Sequence, residues 1–207
     1  MLVRLAKISD IKQLAQIHLE CGKNQPDGFM HLLGFFFLKT YYSILLNERK
    51  SVIVLAEDDS GFVHGFSSGT LAAEEHLMAL KKNKIKLIIS SIPALLISPK
   101  LIFKLLARNR YVNASANSLK FGVDIGSRCE YWAWRPEHKN LTMSINLFNI
   151  WRKIIFDLGI DSIKGEVDLK NKYIFKMHKI LGANVVGELN LPDGRKRVII
   201  EYTRKKK

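Results

Sequence analysis

The side chains best suited to acid–base chemistry are a histidine and a carboxylate in two separate parts of the sequence. His178 lies between Lys176 and Lys179, and a histidine can donate a proton close to neutral pH. Glu130 is followed by the aromatic residues Tyr131, Trp132 and Trp134. A carboxylate packed against aromatic rings has its pKa raised by desolvation, so it can accept a proton directly or through water. Structural roles remain open for both residues: a core or surface histidine, and an exposed strand glutamate paired with a lysine.

Residues 136–144 have the residue types of an anion-binding segment at the start of a helix. The segment reads Pro-Glu-His-Lys-Asn-Leu-Thr-Met-Ser. The free N–H groups at a helix N-terminus carry partial positive charge and bind phosphates. Lys139 adds a full charge, and the hydroxyls of Thr142 and Ser144 add hydrogen-bonding groups. The alternative is an ordinary helix start in which Thr142 is the N-cap.

Hydrophobic periodicity predicts the elements that position these residues. Strands are predicted over 3–6, 52–56, 62–70, 130–135, 162–168, 183–187 and 197–203, the last two as a hairpin around a turn at 192–194. Helices are predicted from Ser9 or Asp10 onward and over 33–46, 144–158 and 171–182. The spacing in 144–158 predicts one buried face, formed by Ile145, Phe148, Trp151, Ile155 and Leu158. Residues 71–120 are predicted to be helical and broken at Pro93 and Pro99. The chain is therefore expected to be one α/β (α+β) domain, residues 1–207, with a helical insert between its third and fourth strands.

This order of elements resembles the GNAT superfamily of acyl-CoA-dependent N-acyltransferases along nearly the whole chain. Residues 3–6 followed by Asp10 and Ile11 are similar to the first strand and helix of that family. The predicted helix that Asn171 opens and Gly182 closes, followed by a short strand, resembles its penultimate motif. The resemblance implies a mixed, mostly antiparallel sheet flanked by helices, with splayed fourth and fifth strands. It also implies acetyl-CoA as the acyl donor and a small amine as the acceptor.

The pyrophosphate loop is where the sequence departs from the family. GNAT proteins have a Gln or Arg followed by x-x-Gly-x-Gly or Ala after the fourth strand. Here Lys139 takes the basic position, and Thr142 and Ser144 take the positions of the two glycines. A side chain at these positions removes the conformational freedom that glycine gives. The resemblance implies coenzyme A contacts from Trp134, Arg135, Lys139, Asn140, Leu141, Thr142, Met143, Ser144 and Asn171.

The resemblance also assigns roles to the two acid–base candidates. Many GNAT enzymes use a tyrosine seven residues after the asparagine that opens the helix, and this sequence has His178 there. Some members use a glutamate on the fourth strand as the base, which implies Glu130. His178 would protonate the leaving thiolate while Glu130 takes the proton of the amine. Direct transfer requires no cysteine nucleophile, so Cys129 has no assigned role.

Net charge separates this chain from an average soluble domain. It is +14, from 33 basic and 19 acidic residues, which indicates anionic partners. Residues 77–123 contain no Asp or Glu and alternate basic residues with apolar runs. This segment could lie on an anionic membrane surface, cover the acceptor site or form a homodimer contact. It could also pack on the sheet with solvated lysines.

Composition excludes several other classes. With 47% hydrophobic and 25% charged residues, the chain is typical of a folded soluble domain. Cys21 and Cys129 give no disulfide framework, and no Cys/His cluster has zinc spacing. No apolar segment has the length of a signal peptide or a membrane span, which predicts a cytoplasmic protein.

Three functions fit these patterns. The first is acetyl transfer to a small amine, such as an amino-sugar nucleotide whose phosphates would suit the positive field. The second is a catalytically inactive GNAT-like binding or scaffold protein, favoured by the missing glycines and tyrosine. The third is a basic nucleic-acid or membrane-surface module, although no nucleic-acid recognition signature is present and no specific nucleic acid is expected.

Overall fold

A seven-stranded mixed sheet forms the centre of the structure, a computed structural model that describes residues 1–25, 29–103, 123–191 and 195–204. The strands lie in the order β1-β2-β3-β4-β5-β7-β6. Their bounds are Leu2–Leu5 (β1), Ser51–Glu57 (β2), Val63–Thr70 (β3), Arg128–Trp134 (β4), Ser162–Asp168 (β5), Asn184–Asn190 (β6) and Lys196–Thr203 (β7). Every neighbouring pair is antiparallel except β4 and β5, which are parallel. The predicted mixed, mostly antiparallel sheet is confirmed.

Six helices whose two ends both lie among the described residues flank this sheet. They are Ile11–Gly22 (α1), Gly34–Leu46 (α2), Ala73–Lys82 (α3), Lys84–Ile97 (α4), Leu141–Asp157 (α5) and Lys172–Ile180 (α6). Short 3-10 turns precede α1, α2 and α5. The predicted turn at 192–194 and the second half of the predicted insert, 104–122, lie outside the described residues. No described helix is long and apolar enough to cross a bilayer.

The helices α3 and α4 occupy the stretch between β3 and β4, and one predicted break there is wrong. Pro93 lies inside α4 without ending it. A proline removes one backbone donor and costs about 3 kcal/mol in a helix interior, but α4 packs along α2 and this support offsets the loss. The helix ends at Ile97, just before Pro99, as predicted.

Two apolar clusters cover the two faces of the sheet. Successive residues of β2 alternate between them, because side chains of a strand point to opposite faces. Ile53 and Leu55 pack with α1 and α2, whereas Val52 and Val54 pack with α5. The buried residues of α5 include Phe148, Trp151 and Ile155, which lie on the face predicted from their spacing.

Gly69 of β3 allows the ring of Trp151 to lie directly on the sheet. A Cβ at this position would come within 2.3 Å of Trp151 Cζ2 and 2.4 Å of the Arg128 carbonyl oxygen. We expect Gly69→Ala to lower the free energy of unfolding by about 1–3 kcal/mol, because neither the buried ring nor the backbone can move away freely. Urea unfolding followed by tryptophan fluorescence measures this change.

Gly165 of β5 is the matched control for that variant. A Cβ at Gly165 would meet its nearest atoms at 3.5 Å, an ordinary contact. Gly165→Ala is therefore expected to change stability by less than about 1 kcal/mol. Equal losses in the two variants would show that the contact with Trp151 is not the cause.

Candidate functional site

The two parallel strands of the sheet separate from each other after they meet. In the described chain β4 and β5 are paired at one position, Arg128 with Lys164. Each strand nevertheless stays paired on its other side: β4 with β3 as far as Trp134, and β5 with β7 as far as Asp168. A cleft therefore opens between β4 and β5 toward their carboxyl ends, and the predicted splay is confirmed.

Two helices begin at the open end of this cleft. Because β4 and β5 are parallel, their carboxyl ends lie at one edge of the sheet, where ligands of open α/β sheets bind. The Asn140 side chain caps α5 by accepting a hydrogen bond from the Met143 N–H at 3.0 Å. The Asn171 side chain caps α6 by accepting from the Ile174 N–H at 3.3 Å. The same asparagine cap thus marks both helix starts.

The N-terminus of α5 retains two unused donors. The backbone N–H groups of Leu141 and Thr142 have no hydrogen-bond partner among the described residues, and both residues are exposed. Unpaired backbone N–H groups, together with the helix dipole, favour binding of an anion at the N-terminus of a helix. The start of α5 can therefore bind a phosphate group through its backbone.

The first turn of α5 comes earlier than the sequence indicated. The helix begins at Leu141 and not at Ser144, and its N-cap is Asn140, so Thr142 as N-cap is wrong. Ser144 is buried; its N–H donates to the Asn140 carbonyl oxygen at 3.0 Å, and its hydroxyl accepts from Trp132 Nε1 at 3.0 Å. Ser144 joins β4 to α5, and its N–H is not available to a ligand.

Three side chains of the preceding segment have different surroundings from one another. The Arg135 guanidinium forms an ion pair with Glu20, and its Nε donates to the Val63 carbonyl oxygen at 2.9 Å. The Trp134 indole donates to the carbonyl oxygen of His138 at 2.6 Å. Lys139 is exposed, and no described residue pairs with it. Arg135 therefore anchors the end of β4 to α1, and this arrangement does not support its expected contact with phosphate.

His178 is buried beside aromatic rings of the apolar cluster on the α5 face of the sheet. Its Nδ1 lies 2.7 Å from the Tyr202 hydroxyl, and its ring packs against Trp132 and Phe148. Burial, helped by the nearby charge of Arg152, lowers the pKa of His178 to about 4. The imidazole is therefore neutral at physiological pH, so it would enter a reaction as the neutral ring and not as an imidazolium.

Glu130 has charged neighbours instead of the aromatic surroundings expected from the sequence. It forms an ion pair with Arg128, whose Nε lies 2.7 Å from its Oε1, and His76 Nε2 lies at 3.5 Å. The aromatic residues point elsewhere: Tyr131 stacks on a histidine of α1, and Trp132 stacks on Phe148 of α5. The interpretation of Glu130 as a carboxylate desolvated by aromatic rings is therefore wrong.

The structure does not bring His178 and Glu130 together. His178 belongs to the aromatic cluster under α5 and α6, whereas Glu130 contacts a side chain of α3. Sequence reasoning also missed their partners, Tyr202, Arg128 and His76. The alternation of β7 could have placed Tyr202 in the core, because Val198 and Ile200 precede it on the same face. No local pattern indicates which residue of α6 it meets.

Several solved structures with a similar fold are acetyltransferases. The proposed acetyltransferase yncA of Salmonella typhimurium, solved with its cofactor acetyl-CoA, has a TM-score of 0.61 at 10% identity and covers 100% of this chain and 95% of its own. The ribosomal-protein-alanine N-acetyltransferase of Brucella melitensis has a TM-score of 0.61 at 12% identity, covering 99% of this chain and 100% of its own. The chain has the GNAT acetyltransferase fold. No protein-family model and no curated protein sequence match it.

A third GNAT structure supports the same conclusion about the fold. Aminoglycoside 6'-acetyltransferase type Ii has a TM-score of 0.59 at 13% identity and covers 98% of this chain and 97% of its own. Identities this low show the GNAT fold and leave the acceptor open. The described residues contain no cluster of three or more His, Cys, Asp or Glu side chains that could hold a metal ion.

Proposed function

We propose that this protein is an acyl-CoA-dependent N-acetyltransferase that moves an acetyl group from acetyl-CoA to a small amine. The observation that carries the proposal is the cleft between β4 and β5, with the N-termini of α5 and α6 at its open end. The GNAT fold supports it, and one neighbour with this fold was solved with acetyl-CoA.

The cleft offers acetyl-CoA two kinds of backbone group. The free N–H groups of Leu141 and Thr142 would bind the pyrophosphate, with Lys139 adding positive charge. Facing edges of β4 and β5 have N–H and C=O groups that the sheet leaves unpaired, and the amides of the pantetheine arm could pair with them. Asn140 and Asn171 would keep both helix starts in place. Backbone donors do not depend on glycine, so the Thr142 and Ser144 substitutions are compatible with this binding.

His178 is the candidate that would serve the leaving thiolate. Its Nδ1 is occupied by Tyr202, which leaves Nε2 for the sulfur. The imidazole is neutral before the reaction, so it would take a proton from the amine nitrogen once the amine has added to the thioester carbonyl. It would then pass that proton to the leaving thiolate, whose developing negative charge favours the protonated ring. Acid catalysis of this kind contributes about 10²- to 10⁴-fold. Glu130 is the candidate that would take the proton of the incoming ammonium group, directly or through water, so that the amine is neutral when it attacks.

The net charge favours an acceptor that carries phosphate or carboxylate groups in addition to its amine. The net charge of +14 creates a positive electrostatic field that attracts anions and repels polycations. An amino-sugar nucleotide satisfies this requirement, whereas a free polyamine does not. Testing phosphorylated amines and polyamines side by side at low salt would show whether the field selects between them.

Calorimetric titration of acetyl-CoA into the protein tests the proposed binding, and Leu141→Pro makes the test specific for the helix start. Proline is well tolerated at the first helical position, and the preceding Asn140 has φ −143° and ψ 88°, outside the α region that a following proline disfavours. The variant removes one free donor, and we expect acetyl-CoA to bind about tenfold more weakly than to the wild type.

Leu141→Ala is the matched control, because it removes the same side chain and keeps the N–H. It is expected to bind acetyl-CoA within about threefold of the wild type. Adenosine 3′,5′-bisphosphate, which lacks the pantetheine arm, should bind more weakly than acetyl-CoA. Absence of acetyl-CoA binding to the wild type would overturn the proposal, and equal binding to both variants would overturn the role of the helix start.

An inactive binding protein is the second candidate, and the burial of Ser144 favours it. The residue at the second glycine position of the family joins β4 to α5 and offers no donor to the cofactor. Acetyl-CoA that binds but is not consumed with any amine would support this candidate. Transfer to one amine would exclude it.

A further inference from the structure

The helix α4 has an apolar face that no described residue covers. Its exposed aliphatic residues follow helical spacing and form one stripe: Ile85, Ile88, Ile89, Ile92 and Leu96. The side chains of Ile85 and Leu96 are 73% and 76% exposed. At 100° per residue the five positions lie within about 100° of arc. Large aliphatic side chains are normally scattered singly on a surface, so a continuous stripe needs an explanation.

The opposite face of α4 already has its partner. Leu87 packs against the core cluster of α1 and α2, and Ser91 is buried. Ala94 lies close to the start of α2, because a Cβ added to Gly34 would lie 3.5 Å from the Ala94 Cβ. The helix is thus apolar on its inner and outer sides, which is typical of a helix that is buried on both sides or contacts a membrane.

Lysines border the exposed stripe. Lys84 and Lys86 are exposed and lie on the two flanks of the stripe when α4 is viewed along its axis. Lys81, Lys82 and Lys100 are exposed just before and after the helix. Residues 77–123 contain no acidic residue. The helix therefore presents apolar side chains to one side, with lysines on both flanks and at both ends.

We propose that this face of α4 docks on the surface of an anionic lipid bilayer. Interfacial helices bury their apolar face at the boundary between headgroups and acyl chains, and the lysines on the flanks meet the lipid phosphates. The proposal does not depend on the proposed enzymatic function, because it rests only on the exposure and charge of α4.

Other occupants of the face fit it less well. A second copy of this chain in a symmetric dimer would bring the lysines of both α4 helices close together. Residues 104–122 are also basic and contain no acidic residue, so they offer no charge complement either. A nucleic acid could pair with the lysines but would leave the isoleucines exposed to water. A bilayer supplies both acyl chains and negative charge.

Flotation of the full chain with vesicles tests the proposal. We expect binding to vesicles of phosphatidylcholine with phosphatidylglycerol, and little binding to phosphatidylcholine alone. Raising the salt from about 0.1 M to about 0.5 M should release most of the protein, because screening weakens the contribution of the lysines. A wild-type protein that does not bind anionic vesicles would overturn the proposal.

Two variants and two matched controls locate the contact on α4. Ile85→Gln/Ile89→Gln/Leu96→Gln and, separately, Lys84→Glu/Lys86→Glu should each lower the bound fraction about tenfold. The apolar control is Ile8→Gln/Ile125→Gln/Leu158→Gln, three exposed aliphatic residues elsewhere. The charge control is Lys12→Glu/Lys23→Glu, on exposed lysines of α1 and the residue after it. Both controls should bind like the wild type.

The readouts distinguish a lipid contact from its alternatives. The circular dichroism spectrum and the urea midpoint of each variant must match the wild type, which shows that the substitutions leave the fold intact. If the control variants lose as much binding as the α4 variants, general charge or apolar surface is the cause and the proposal fails. If the wild type is a dimer in solution that the apolar α4 variant dissociates, a second copy is the occupant and the proposal also fails.

Discussion

Replacing His178 with phenylalanine is expected to lower kcat about 10²- to 10⁴-fold while acetyl-CoA binds within about threefold of the wild type. Phenylalanine keeps the ring that packs against Trp132 and Phe148 but removes both nitrogen atoms. The Tyr202 hydroxyl keeps an acceptor, because the carbonyl oxygen of residue 178 lies 3.4 Å away. The measurement is kcat at saturating acetyl-CoA, with the acceptor found by screening amines.

Tyr202→Phe tells whether the imidazole or its partner supplies the proton. If Nε2 of His178 protonates the thiolate, loss of the Tyr202 hydroxyl affects only the orientation of the ring, and kcat should fall about tenfold or less. If both variants lose the same activity, the two residues act as one unit. An unchanged kcat in His178→Phe would show that the histidine has no catalytic role and that its burial serves packing alone.

The elements around the cleft could be predicted because their signals are local. The spacing of Phe148, Trp151 and Ile155 gives the buried face of α5, and all three are fully buried. The asparagine at 171 and the glycine at 182 indicate the two ends of α6, and Gly182 has a positive φ of 89°. Leu158, expected on the same stripe as Trp151, is exposed because α5 ends at Asp157. Periodicity predicts a face better than it predicts a helix end.

The chemistry of the site could not be predicted in the same way, because it depends on contacts between distant residues. The aromatic neighbours of Glu130 in sequence point to opposite faces of β4, so they do not determine the environment of the carboxylate. Its actual partner, Arg128, is two positions away, where pairing with β3 is irregular. The environment of His178 is likewise set by Tyr202 on β7. Residue type alone suggested a proton donor near neutral pH, and burial changes that conclusion.

Buried neutral histidines are expected to make the protein lose stability steeply as the pH falls from 7 to 5. Burial lowers the pKa of His178 to about 4 and that of His18 to about 3. In the unfolded chain both return to about 6.5. A group whose pKa is depressed by folding contributes stability above its unfolded pKa, and that contribution is lost as the pH falls through 6.5 toward the folded value.

The expected size follows from the same values. Between pH 7 and pH 5 each of these two histidines should remove about 2 kcal/mol from the free energy of unfolding, so the pair should remove about 4 kcal/mol. Burial also lowers the pKa of His76, which acts in the same direction. Carboxylates titrate mainly below this window, so the histidines determine the slope. Urea unfolding at a series of pH values measures it.

His18→Gln and His178→Phe assign that slope to particular side chains. His18 is held by the Tyr42 hydroxyl at 2.7 Å and stacks on Tyr131 with ring centroids 3.8 Å apart, so its replacement will lower stability at every pH. The informative quantity is the difference in the free energy of unfolding between pH 7 and pH 5, which should shrink by about 2 kcal/mol in each variant. A wild-type protein equally stable at both pH values would contradict the buried, neutral state of these histidines. That result would also remove the proposed role of His178, because only a neutral imidazole can take a proton from the amine nitrogen and pass it to the leaving thiolate.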